Sequence, residues 1–186
     1  MKTSQILCFV LLLTGSVPVI AQDVHMTRNG KISFFSRTPM ENIDGTNNEV
    51  LSVIDLKKNE IAFAVLVKGF HFEKALMEEH FNENYMESTK FPKASFNGVL
   101  RPINPIDIGK DGTYAVDVEG DLTIHGVTKK TAAKGEVVVK GGKIWSKSTF
   151  KLAVKDFGIA IPGVVAEKIA ETIDVTVDCA YLPKEK

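Results

Sequence analysis

Cysteine is almost missing from this chain. The 186 residues contain 2, Cys8 and Cys179. Cys8 falls in an N-terminal leader described below, so a processed chain keeps only Cys179, and a lone cysteine closes no internal disulfide even in an oxidising compartment. Cys179 shares an alternating segment with Val177 and Tyr181, opposite Asp178 and Ala180. It reads as a small buried apolar residue rather than a reactive thiol. An excess of one charge is missing too. The 23 Lys and Arg face 23 Asp and Glu, and losing Lys2 with the leader leaves the chain one unit negative. That excludes long-range attraction to nucleic acid or anionic lipid. The basic residues are scattered, without the interleaved aromatics that grip single strands, so no nucleic-acid partner is expected. After Ala21 no apolar run approaches the roughly 20 residues a membrane-crossing helix needs, and stable membrane insertion is not expected.

Catalytic signatures are absent as well. There is no Gly-x-Ser-x-Gly elbow, no P-loop and no dinucleotide fingerprint. The histidines are His25, His71, His80 and His125. His71 and His80 flank a helical segment with Glu78 and Glu79, but the spacing is neither His-Glu-x-x-His nor that of another metal site. The reading is of a non-enzyme without metal or cofactor. Internal repeats, low-complexity tracts and linkers are also lacking.

What is present begins with the leader. Lys2 supplies a positive start, Ile6–Leu13 an apolar core, and Thr14-Gly15-Ser16 with Pro18 loosen and break it before small residues up to Ala21. This is the tripartite pattern of a secretory signal. Residues 1–21 are therefore expected to be removed, leaving 22–186 as one exported domain, periplasmic or secreted. Cys8 lies inside the apolar core rather than just after it, so it is no lipid-attachment site.

The rest of the chain reads as strands and turns. Lys31–Ser36, Glu60–Phe70, Ala94–Leu100, Thr113–His125, Lys134–Lys140, Lys143–Val154 and Thr172–Tyr181 are strand candidates, with Leu51–Asp55 a weaker one. Residues 42–48 form a polar turn cluster. Asp111-Gly112 signals a tight hairpin, and Gly141-Gly142 another. His125-Gly126-Val127-Thr128 turns the chain, with Lys129-Lys130 at a solvated tip. Gly120 interrupts one face of its strand and marks a bulge or sharp bend. Two segments break the pattern: Phe72–Met86, a helix or two, and Val164–Glu171, a second helical candidate. About eight strands, each with one apolar and one polar face and mostly without intervening helices, predict a mainly β protein with an antiparallel sheet. Thr113–His125 is longer than the usual strand of about 5–6 residues. Long one-sided strands of this kind can close into a tall barrel, whose interior either fills with side chains or holds one small ligand.

Asp121-Leu122-Thr123-Ile124-His125-Gly126-Val127-Thr128-Lys129, preceded by Tyr114-Ala115-Val116 and Gly120, resembles the central signature of the YceI-like family. Three further blocks match in order: Glu79-His80-Phe81 through Phe91-Pro92-Lys93-Ala94-Ser95-Phe96, then Lys155-Asp156-Phe157-Gly158-Ile159, then the alternation Ile173–Val177. The segment from Phe34 to Asn42 departs from the family pattern, lacking its histidine and Gly-Phe step. The resemblance implies a lipocalin-like, eight-stranded antiparallel β-barrel with one or two short helices. It also implies a usually periplasmic protein binding a long isoprenoid lipid such as a polyprenyl quinone or its precursor, for storage or transport. That lipid is the expected ligand in place of a cofactor, and a homodimer is left open. Alternation in turn nominates the inward, ligand-facing residues: Phe34, Phe63, Val65, Phe96, Tyr114, Leu122, Ile124, Phe150, Leu152, Ile173, Val175 and Val177. Leu76, Met77, Phe81 and Met86 would cap one end, the methionines suiting an adaptable lining. His125 has a structural place at a hairpin corner. Two other readings stand beside this one: an exported structural or stress-response β-domain with a filled core, and an enzyme using the cavity, for which Tyr114 is the sole inward ionisable group. The leader reading has a direct check: N-terminal sequencing of the protein recovered from a bacterial periplasm should begin at Gln22.

Overall fold

Alternating apolar and polar residues on consecutive strands can all be satisfied if the sheet closes on itself, with every apolar face turned inward. The computed structural model of the protein describes residues 24–183. The expected leader and Cys8 lie outside them. Among the described residues the strands are β1 (Val24–Arg37), β2 (Asn42–Asp55), β3 (Glu60–Leu66), β4 (Lys93–Pro102), β5 (Gly112–Ile124), β6 (Val127–Lys140), β7 (Lys143–Ala153) and β8 (Thr172–Pro183). Each pairs antiparallel with the next, and β8 pairs with β1, closing the barrel. The expected fold class is the observed one. A short helix, α1 (Ala75–His80), runs on into a π-helical turn (Phe81–Tyr85), inside the span expected to be helical.

Several local expectations are corrected. The polar stretch 42–48 is not a turn but the first half of β2, paired with β1 from Arg37↔Asn42 to Ile32↔Asn47. The turn lies just before it, where the Thr38 hydroxyl accepts the Met40 and Glu41 amides at 3.3 and 3.1 Å. The polar residues of this strand have strand work to do. Asn47, fully buried, donates to the Leu66 carbonyl at 2.9 Å, tying β2 to β3 beyond the end of their ladder. Asp111-Gly112 is not a tight hairpin either. Residues 103–111 form a loop containing Pro105, and Asp111 instead accepts the Gly141 amide at 2.8 Å, bracing the neighbouring turn. That turn, Gly141-Gly142, has φ of 57° and 72°, the two positive values of a two-residue hairpin.

His125 and Gly126 form the equivalent turn at the other end, with φ of 50° and 76°, and Val127 already pairs with Ile124. Lys129 and Lys130 therefore sit in β6, not at a turn. Gly120 marks no bulge, since β5 runs in unbroken register against both β4 and β6. It faces Gly98, and a Cβ at Gly120 would come within 2.3 Å of the Asn97 carbonyl and 2.7 Å of the Phe96 ring. The glycine pair lets two strands approach closely beneath that ring. The candidate strand ending at Phe70 stops at Leu66 in a 3-10 turn (Val67–Gly69), after which His71 makes a single bridge to Thr46. Residues 164–171 hold only a 3-10 turn (Gly163–Val165). Val164 is 92% exposed, and so short a segment without a buried apolar face does not sustain a helix.

The interior is solid at one end. Ile54, Ile61, Leu100, Val116, Val137, Ile144, Cys179 and Tyr181 form a buried floor. Within it the Tyr181 hydroxyl lies 2.9 Å from Ser52 Oγ and 2.8 Å from Ser146 Oγ, while Ser52 donates to the Ala62 carbonyl at 3.0 Å. Each hydroxyl has one proton. Tyr181 must therefore donate to Ser52 and Ser146 to Tyr181, leaving Ser146 only acceptor capacity. Cys179 is fully buried, as expected. Burial pushes its thiol up to about 12. Tyr181 is raised as well, by burial and then by Cys179, against the two serine hydrogen bonds. The unfolded chain releases such protons near pH 9–10 while the folded chain keeps them, so each step up in pH favours unfolding. The urea midpoint should fall steadily between about pH 9 and 12, and the combined variant Cys179→Ala/Tyr181→Phe should flatten that fall.

Candidate functional site: an apolar cavity in the barrel

Above the floor the side chains do not meet, and they leave a cavity of about 590 Å³. Leu100, Val116, Val137 and Ser146 form its base. Phe63 and Phe96 line it higher up, their rings 6.3 Å apart. At the far end four rings converge. Phe34 from β1 lies 5.5 Å from Phe70, 5.8 Å from Phe72 and 5.6 Å from Phe81, and Phe72 and Phe81 are 5.0 Å apart. The helical segment 75–86 crosses this mouth, presenting Leu76, Met77, Phe81 and Met86 to the cavity, and Ile159, Ile161 and Ile169 face it from the β7–β8 connection.

Of the residues nominated by alternation, Phe34, Phe63, Val65, Phe96, Leu122, Ile124, Phe150, Leu152, Ile173, Val175 and Val177 line the cavity, as do Leu76, Met77, Phe81 and Met86 at its mouth. Tyr114 differs. It packs against the floor cluster, and its hydroxyl lies 3.1 Å from the Asp107 carbonyl and 3.2 Å from that of Lys110, holding the β4–β5 loop. Being near the end of β5, it reaches the loop instead of the hollow. Phe70 and Phe72 were missed. The sequence pattern puts one at a strand end and the other in a helix, but they are two residues apart on an extended piece whose middle residue, His71, bridges to Thr46. The Phe-His-Phe alternation was the available signal.

Ionisable side chains stand at the edges of the cavity. Glu41, Lys74, His80 and Lys168 are at the mouth, with Lys74 and Glu41 paired at 3.3 Å. Among the described residues no cluster of His, Cys, Asp and Glu could hold a metal ion, and no helix is long and apolar enough to cross a membrane. The arrangement can solvate an apolar molecule and leave its polar end among charges.

The mouth is held in place from the side. His125 Nε2 lies 2.8 Å from Glu87 Oε2, its Nδ1 3.3 Å from the Phe157 carbonyl, and its ring 4.4 Å from that of Phe91. Glu87 follows the helical segment with φ of 42°. One imidazole thus ties the β5–β6 turn to the segment over the mouth and to the turn after β7, which accounts for the histidine as a structural residue. Replacing it by His125→Asn keeps a residue that tolerates positive φ but loses both contacts. The expected cost is about 1–3 kcal/mol, measured by urea denaturation, with faster amide exchange across residues 75–86.

Comparison with known proteins agrees with this geometry. A model of the YceI-like domain matches residues 24–181. A UPF0312 protein of Pseudomonas putida W619 is 29% identical over 101 residues, 51% of this chain and 48% of that protein. A UPF0312 protein of Pseudomonas fluorescens Pf-5 is 31% identical over 83 residues, 41% of each. The chain spans about half the length of the curated relatives it matches. Among solved structures, a polyisoprenoid binding domain from Saccharophagus degradans, implicated in plant cell wall breakdown, superposes with a TM-score of 0.73 at 13% identity, over 88% of this chain and 99% of that one. Burkholderia cenocepacia BcnA superposes at 0.68 with 15% identity, over 82% and 96%. The two structures share the fold, and the domain match covers nearly all of the barrel, so this chain belongs to the YceI-like family.

Proposed function

We propose that the protein is an exported carrier that holds a linear isoprenoid lipid, a polyprenyl quinone or its precursor, inside the barrel. The observation that carries this reading is the cavity of about 590 Å³, walled by aliphatic and aromatic side chains with charge at its edges. It lies within the roughly 300–1,000 Å³ of sites that bury most of a drug-sized ligand. A branched, flexible hydrocarbon chain suits it better than a flat or polar molecule. Burying each CH₂ contributes about 0.8 kcal/mol, so a few isoprene units offset the several kcal/mol lost on association. A purely structural barrel would gain more stability by filling this space with side chains, which counts against the filled-core reading. The resemblance to the polyisoprenoid binding domain of Saccharophagus degradans points to the same chemical class.

The test is mass spectrometry of an organic extract of the protein, purified without detergent from the cells that make it. One polyprenyl species at close to one per chain is expected. An empty extract, repeated after incubation with polyprenyl quinones, would overturn the reading.

A further inference from the structure

The barrel wall has a gap. β6 begins at Val127 and β7 ends at Ala153, yet their ladder runs only from Gly135↔Ser148 to Lys140↔Lys143. Over the same span β6 is paired with β5 to its first residue, Ile124↔Val127, and β7 with β8 to its last, Ala153↔Thr172. Each strand is thus held by its outer neighbour and diverges from the other. The last tie is Ser148 Oγ donating to the Lys134 carbonyl at 2.7 Å. At the top the gap is closed again, where Val127 packs against the cluster containing Phe157.

Three observations open this gap to the cavity. First, the lining includes Thr131 and Ala133 of the unpaired part of β6, and also Glu136 and Lys147, which are exposed and on the outer face at its lower corner. A cavity confined to the interior would not touch them. Second, the inward positions here, Thr131, Ala133 and Gly135, are small, whereas β7 presents Phe150 and Leu152 at this level. Third, Lys129 is the register partner of Leu122, which lines the cavity, so it takes the inward side; even so it is exposed. A lysine in that place also deters another strand from adding to the free edge.

We propose that the gap between β6 and β7 is a second, lateral mouth, through which one end of a long apolar chain leaves the barrel. This rests on the isoprenoid reading above and adds to it how chain length is accommodated. The cavity has room for on the order of 20 to 30 carbon-sized groups. A longer polyprenyl chain must keep part of itself outside, and the mouth under the helical segment is already crowded by four phenylalanine rings. Threading through the wall lets the polar end stay at one opening and the tail pass out of the other, with no upper limit on length.

The test compares retention, on gel filtration, of two isoprenoid alcohols, the short farnesol and the long solanesol. One modification seals the gap. Lys134→Cys with Thr149→Cys, the next pair in register after Gly135↔Ser148, clamps it by a bond that reductant reopens; the buried Cys179 does not compete. Ala132→Trp, on the outer face, is the control. The unmodified protein and the control should retain both alcohols. The clamped form should retain farnesol and lose solanesol by tenfold or more, and reduction should restore it. Undiminished solanesol in the clamped form would overturn the lateral mouth while leaving the carrier reading intact. Loss of both alcohols on sealing, reversed by reduction, would make the gap the entrance for the whole ligand and overturn threading. Failure of the unmodified protein to retain either would overturn the carrier reading, and the lateral mouth with it.

Discussion

The pairing of β8 with β1 turns a ladder of eight strands among the described residues into a ring, and the rest of the structure depends on it. A closed sheet has one inside and one outside, so a period of two residues separates core from solvent on every strand at once. Closure also removes the two free edges that an open sheet would expose. The outer face can then be covered by cross-strand pairs such as Lys147–Asp178 and Lys151–Asp174. These contribute little to stability individually, but each pairs opposite charges across neighbouring strands.

The ring is filled at one end and hollow at the other, and the polar groups follow that division. In the floor each hydroxyl of Ser52, Tyr181 and Ser146 has a partner, as buried polar groups require. Higher up, apolar side chains line a hollow, and four phenylalanine rings converge at its mouth. Charge returns only at the edges, where water or a ligand head group can solvate it. An apolar interior of this kind can discriminate among molecules by shape and hydrophobicity.

The same molecule combines stiff and open parts. His125 binds three separate segments at the mouth through one ring, at a turn strained enough to need φ of 50°. The gap between β6 and β7 is the opposite case. There the ladder is given up over several residues while each strand stays pinned by its other neighbour. A barrel can tolerate one such opening because every remaining pair of strands still carries the ring.

Much of this was legible in the residues. The alternation of Phe63-Ala64-Val65 and of Ile173 to Val177 has a period of two, which depends only on local backbone geometry, so the apolar face of these strands could be read directly, while the barrel was what the family resemblance implied. Phe70 and Phe72 were readable by the same rule but were hidden by helix formers next to them. What composition obscured was the role of polar residues inside strands: Asn47 looks like a turn residue until Leu66 is known to lie beside it, because its bond replaces a ladder rung from another strand. Tyr114 shows the reverse, an inward position taken up by a loop that no pattern places. The local alternation thus determined which face of each strand is apolar, and the resemblance to the YceI-like family implied that the sheet closes. Whether that interior is filled or hollow, and where its wall opens, was decided only by the tertiary structure, because those depend on how far apart eight strands settle and on which neighbour each one keeps.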